Sequence, residues 1–302
     1  MTMEEKTPAV CVLRLFGATE QQVQQAITTL PPKGQITARC RSCGAETLVA
    51  LQAGSEKSLH RAVQDLRTAF AADLYGEGAC DLANTTVQAL ENHHKLLVCS
   101  DAAAGALLEA RLETVPGAGN VFDFGAMSYA DSKTAARMER KVRASGEAAR
   151  ILARVQAAQK VVGAELAAGC LEQPDSCVLF LGDRKGCWLR CVPSQENAAL
   201  WLLDMIRRAA SGLPQAAGTS WQRYGTPVPD AVLAPPDPTV RQPDVPQRKR
   251  HGLRRFFLVL LLLAIAAVAV GWYYTGGDLA ALPQKLQSLG AESTPHAGAK
   301  LI

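Results

Sequence analysis

Hydrophobic and polar positions follow two rhythms along the first quarter of the chain. AVCVLRLF, residues 9–16, is almost wholly apolar and valine-rich, which predicts a strand. From Thr19 the apolar residues Val23, Ala26 and Ile27 recur at helical spacing until Pro31, Pro32 and Gly34 end the pattern. QITARC and ETLVALQ return to strand-like runs, with SCGA as the turn between them. Ser55 opens a second helix with Leu59, Ala62, Val63, Leu66 and Phe70 on its inner face. The order βαββα predicts a small domain over residues 1–76, with helices on one face of a mostly antiparallel sheet.

The rhythm changes over residues 77–212, where helical and strand-like stretches interleave. A helix over 85–94 leads into LLVCS, a short buried strand, and a second helix runs over 102–114 to Pro116 and Gly117. VFDFGAMSYA reads as the next strand, followed by helices over 131–142 and 146–169. Ile151, Val155, Val162 and Leu166 mark the inner stripe of the longer one, which Gly163 and Gly169 weaken. SCVLFLG and GCWLRCV, joined by DRK, form a hairpin. Ser194 caps a last helix that buries Ala198, Leu202, Met205 and Ile206. This alternation predicts an α/β domain with helices covering a mixed sheet.

Past residue 212 the pattern loses its period. Residues 213–247 hold eight of the 16 prolines, which predicts an extended linker able to reach about 100 Å. Residues 256–274, FFLVLLLLAIAAVAVGWYY, carry no charge over 19 positions. At 1.5 Å per residue this matches the ~30 Å of a bilayer core. RKRHGLRR precedes the stretch and Trp272, Tyr273 and Tyr274 close it, so the expectation is a single transmembrane helix. The basic flank would keep residues 1–247 in the cytoplasm and send a 275–302 tail outside. That reading makes the lipid bilayer a partner and the protein a single-pass one of the cell membrane. MTMEEKTP offers no signal-peptide core.

Charge and cysteines narrow the function classes. The net charge is +4, and the five Lys/Arg residues of 248–255 account for it, leaving the folded part slightly acidic. No nucleic-acid partner is expected of such a surface. Nine cysteines, an odd number scattered through predicted elements, point away from a disulfide framework and toward a reducing compartment. Cys40 and Cys43 form one C-x-x-C without a second ligand pair at zinc spacing, so no metal is expected there, and no cofactor is expected of the chain.

CSDAAAGALLEARLETVPG, residues 99–117, followed by VFDFGAMSYADSK, resembles the C-terminal domain of the CinA family of competence- and damage-inducible proteins. VLRLFGATEQQVQQAI and DLYGEGACDLANTTVQAL resemble that family's small middle domain and the junction after it, so the likeness covers about residues 9–212. The resemblance leaves the family's N-terminal molybdopterin-binding-like domain without a match, and it is expected to be missing. Members with activity are nicotinamide-nucleotide amidohydrolases, with A-E-S-C-T-G-G at the reactive turn and S-Y-S-N-x-x-K at the end of the next strand.

Position by position, the resemblance puts Ala102 where the family has its nucleophilic serine. Asp101 takes the place of the preceding glutamate, Ala103 and Ala104 follow, and Gly105 and Ala106 stand for the two glycines. Tyr129 matches, Asp131 replaces the asparagine, and Lys133 comes one place early, with Thr134 in the ungapped position. The family's glycine-rich loop shrinks to Gly182–Gly186, where Arg184 and Lys185 are candidates for a phosphate. Alanine has neither a proton to lose nor an oxygen to attack with. Cys99 and Ser100, just upstream, are the substitutes on offer, and Asp101 also suits an N-cap.

Three readings follow from the resemblance. The first is a membrane-anchored, catalytically degenerate CinA-like protein that binds a pyridine nucleotide or a partner. The second is an active amidase that deamidates nicotinamide mononucleotide with a rearranged site. The third is a membrane scaffold that recruits another protein.

Overall fold

The computed structural model describes residues 9–29, 36–123 and 146–234. The first sheet is built from β1 (Ala9–Phe16), β2 (Ile36–Cys43), β3 (Glu46–Ala53) and β4 (Leu74–Glu77), in the order β2-β3-β1-β4 and antiparallel throughout. Gly44 makes the β2–β3 turn with φ +60, a conformation that suits a residue without Cβ. Helices α1 (Glu20–Thr28) and α2 (Glu56–Ala69) cover one face. Thr19 caps α1 in a reciprocal capping box with Gln22, and Ser55 caps α2 through the amide of Ser58. Leu13, Leu15, Val49 and Leu51 from the sheet meet Val23, Val63 and Leu66 from the helices in one core. The βαββα order is thus extended by a fourth strand, and that strand runs past residue 76.

The second sheet has the order β5-β6-β7-β8-β9: Leu97–Cys99, Leu166–Gln173, Ser176–Gly182, Gly186–Pro193 and Ser220–Arg223. Only β5 and β6 are parallel; the others run antiparallel. One face carries α3 (Leu82–Asn92), α4 (Ala102–Leu112), the short α5 (Ala118–Val121) and α7 (Ala198–Ala210). The other carries α6 (Glu147–Val162) and the single turn α8 (Asp230–Leu233). The result is a helix–sheet–helix sandwich with apolar side chains on both faces of β6 and β7.

Several expectations are corrected here. The fold class expected from the sequence closes with a transmembrane helix, and that is not what the structure gives: among the described residues no helix is long and apolar enough to cross a membrane. The longest, α6, rises only about 24 Å over its length and carries Glu147, Arg150, Arg154 and Lys160. Residues 256–274, on which that expectation rested, lie outside the described residues. What stands is a mixed α/β protein with two sheets.

The helix expected over 146–169 stops at Val162, because Gly163 turns left-handed at φ 77 and closes it. Leu166, read as part of its inner stripe, begins the strand at the heart of the sheet. Asn197, not Ser194, caps α7. The proline-rich stretch is not all linker either, since Ser220–Arg223 adds the edge strand β9 beside β8. Of VFDFGAMSYA, Phe122 makes one parallel bridge to Leu97, and 124–130 lie outside the described residues.

α7 ties the two sheets together. Both oxygens of Asp204, which has no exposed surface, take arginine: Arg207 Nη2 and Nε on one at 2.6 and 3.1 Å, Arg208 Nε on the other at 2.6 Å. The same arginines reach the first domain, Arg207 to the Ala72 carbonyl at 2.6 Å and Arg208 to Phe16 O and Asp73 Oδ1 at 2.9 Å each. Arg190 lies 3.3 Å over the Trp201 ring, which Phe16 meets edge-on. Burial pulls the Arg190 guanidinium down to about 10, against the charges of Glu196 and Asp204.

Candidate functional site

β5 delivers its carboxyl end into α4, and the residues singled out at the reactive turn sit on that junction. Cys99 is the last residue of β5, Ser100 and Asp101 bridge the gap, and Ala102 opens the helix. Asp101 is extended (φ −154, ψ 164) and caps α4: its Oδ1 accepts from the Ala104 amide at 2.8 Å. Oδ2 accepts from the Ser100 hydroxyl at 2.9 Å and from the Cys170 amide on β6 at 3.1 Å. The carboxylate therefore closes a helix end and a strand end together.

Burial raises the Asp101 carboxyl above the usual carboxylate range, and the three hydrogen bonds and the charge of Arg154 oppose that rise. Cys99, 1% exposed, is driven up further by burial and by the charges of Asp101 and Glu109. It stays a thiol at neutral pH and is a poor nucleophile there. Ser100 is 4% exposed. Gly169 makes room for its hydroxyl, since a Cβ at 169 would lie 2.8 Å from Ser100 Oγ and under 3 Å from Val155 and Ile151 of α6. Gly105 is an interior residue of α4, buried, with its amide on the Asp101 carbonyl at 3.1 Å. The first turn of α4 carries only methyl groups at 102, 103 and 104, so that turn itself supplies no nucleophile.

Tyr129, Asp131 and Lys133 lie outside the described residues. Arg184 and Lys185 are placed, and the fold does not bring them to Asp101. The β6–β7 register pairs Ala167 with Gly182, so the 183–185 turn sits at the start of β6, while Asp101 contacts Cys170 toward its other end. The turn is locally satisfied, because Asp183 Oδ1 accepts from the amides of Lys185 and Gly186 at 2.6 and 3.0 Å. Arg184, 78% exposed, pairs with Glu165 at 3.4 Å. Cys40 and Cys43 are three apart on β2 and so face opposite sides of the sheet.

Two residues of the junction carry no signal in the sequence pattern. The Cys170 amide and the space left by Gly169 matter only because β6 runs there, whereas the local pattern extends a helix through 169. The one available hint was Gly163, a helix-stopping residue four positions after Gln159.

A mixed sheet with a capped helix leaving the carboxyl end of its parallel edge strand defines the class as α/β with a strand–turn–helix site. No family model matches the chain. It is similar to CinA-like proteins: 26% identical over 239 residues to one from Desulfovibrio desulfuricans, across 68% of this chain and 56% of that protein. A second, from Akkermansia muciniphila, is 28% identical over 172 residues, across 56% of this chain and 39% of its own length. The chain spans between two fifths and a little over half of the length of these relatives.

Proposed function

We propose that this is a CinA-like protein that has kept the strand–turn–helix frame of a nicotinamide-nucleotide amidase and uses it to bind rather than to hydrolyse. One observation carries the reading. The position matched to the family's nucleophile is Ala102, and the carboxylate before it is spent on three hydrogen bonds that hold the turn. A group so engaged is a structural cap, and an alanine beside it cannot form the acyl-enzyme that amide hydrolysis by serine requires. The ligand on this reading is a pyridine nucleotide, as the resemblance implies. Incubating the full chain with nicotinamide mononucleotide should release no ammonia above a no-protein blank, while calorimetry detects saturable binding of the nucleotide.

One contact favours a second reading, an active amidase with a shifted nucleophile. The Ser100 hydroxyl lies 2.9 Å from Asp101 Oδ2, a nucleophile and a base within proton-transfer reach. Its burial under α6 argues against access. Ammonia release that disappears in Ser100→Ala would put this reading in place of the first.

A further inference from the structure

A cavity of about 460 Å³ opens between the first sheet and the helices α3, α4 and α7, away from the 183–185 turn. This volume suits a small organic molecule, and domain junctions are where such sites form. The first domain gives it a polar wall. Glu46 accepts from Arg14 Nη1 at 2.9 Å and from the Tyr75 hydroxyl, and Arg14 Nε donates to the Gly78 carbonyl at 2.8 Å. The larger domain gives it an apolar one, from Leu82, Leu200 and Leu203.

The charges around the cavity do not cancel in place. Arg14 and Glu46 satisfy each other, and Asp81 has both oxygens on Asn84, through its amide at 3.0 Å and its side chain. Arg111, in the last turn of α4, also lines the cavity, and among the described residues it has no ion pair or hydrogen bond. Arg111 is exposed, so its guanidinium stands free at the rim of a cavity whose lining includes leucines, and that pairing is complementary to one kind of molecule. The planar fork of the guanidinium takes two oxygens of a carboxylate or phosphate, and the leucines take a hydrocarbon body.

We infer that this interdomain cavity binds a small organic anion with an apolar or aromatic body, its acidic group held by Arg111. The assignment uses none of the residues at the β5–α4 junction, so it stands or falls apart from the amidase-like reading.

Benzoate, phenyl phosphate and benzyl alcohol share a ring and differ in their anionic group, which makes them suitable probes for the full chain by ligand-observed NMR and calorimetry. The two anions should bind saturably with Kd at or below about 1 mM, and the alcohol at least about tenfold more weakly. Tighter binding of phenyl phosphate would mark a phosphate ester as the ligand class, and tighter binding of benzoate a carboxylate. Arg111→Ala should weaken both anions about tenfold or more without changing the alcohol. Ala110→Trp, an exposed position at the cavity, should block all three. Both variants change surface positions, and the far-ultraviolet spectrum should match the parent. Absence of saturable anion binding, equal binding of the alcohol, or wild-type affinity in either variant would overturn the assignment.

Discussion

Asp101 and Asp204 are both withdrawn from water and both multiply hydrogen-bonded, yet their partners differ in kind. Asp101 takes two backbone amides and a hydroxyl, all neutral. Asp204 takes two guanidinium groups that are themselves 4% exposed or less. The first arrangement holds one local turn, and among the described residues its charge has no buried counter-ion in contact. The second holds two domains together, and removing the acid would leave two cations in the interior. A capped helix end can lose its charge at small cost, whereas a buried ion cluster cannot.

Asp204→Asn tests the contrast hardest. It keeps the shape and removes the counter-charge, and should cost about 3–5 kcal/mol in urea unfolding of the full chain. A loss below about 1 kcal/mol would mean that the carbonyls and Asp73 suffice for both arginines, and the contrast would collapse. Gly169→Ala comes next. Its methyl would strike β-branched side chains of α6 and the Ser100 hydroxyl at under 3 Å, an overpacking worth about 1–3 kcal/mol.

Asp101→Ala should cost about 1–2 kcal/mol, the usual loss of a cap with one strand amide left unpaired. Its companion Asp101→Asn isolates the charge. Burial raises the Asp101 carboxyl in the folded state, so the fold holds that proton more tightly than the unfolded chain does. The contribution is therefore full below about pH 4, the unfolded value, and is lost as pH rises through the raised folded value. Stability of the parent relative to Asp101→Asn should fall over that rise, read from urea midpoints in a pH series. An opposite slope would show that the hydrogen bonds outweigh burial.

Arg184→Ala should do least. Its partner Glu165 is 3.4 Å away and the arginine is mostly in solvent, so the change should stay below about 1 kcal/mol and vanish in high salt. A larger effect would give the 183–185 turn a structural part that its exposure does not suggest.

The sequence by itself determined whatever is decided within a few residues. β1 follows from its apolar run and the β7–β8 hairpin from two such runs around DRK. The caps Thr19, Ser55 and Asp101 follow from a side chain that reaches an amide two or three positions on. That position 102 is an alanine, with no hydroxyl to offer, is equally legible, because no fold can supply an atom the residue lacks. Tertiary structure decided the rest. Leu166 belongs to a strand because β6 must fill the space between β5 and β7, and a proline-rich stretch gives β9 because β8 offers an open edge. Arg207 and Arg208 read as a polar helix end, and burial of Asp204 between the domains turns them into the tie. Arg184 and Asp101 are separated by the register of β6 with β7, a long-range pairing that no local pattern encodes.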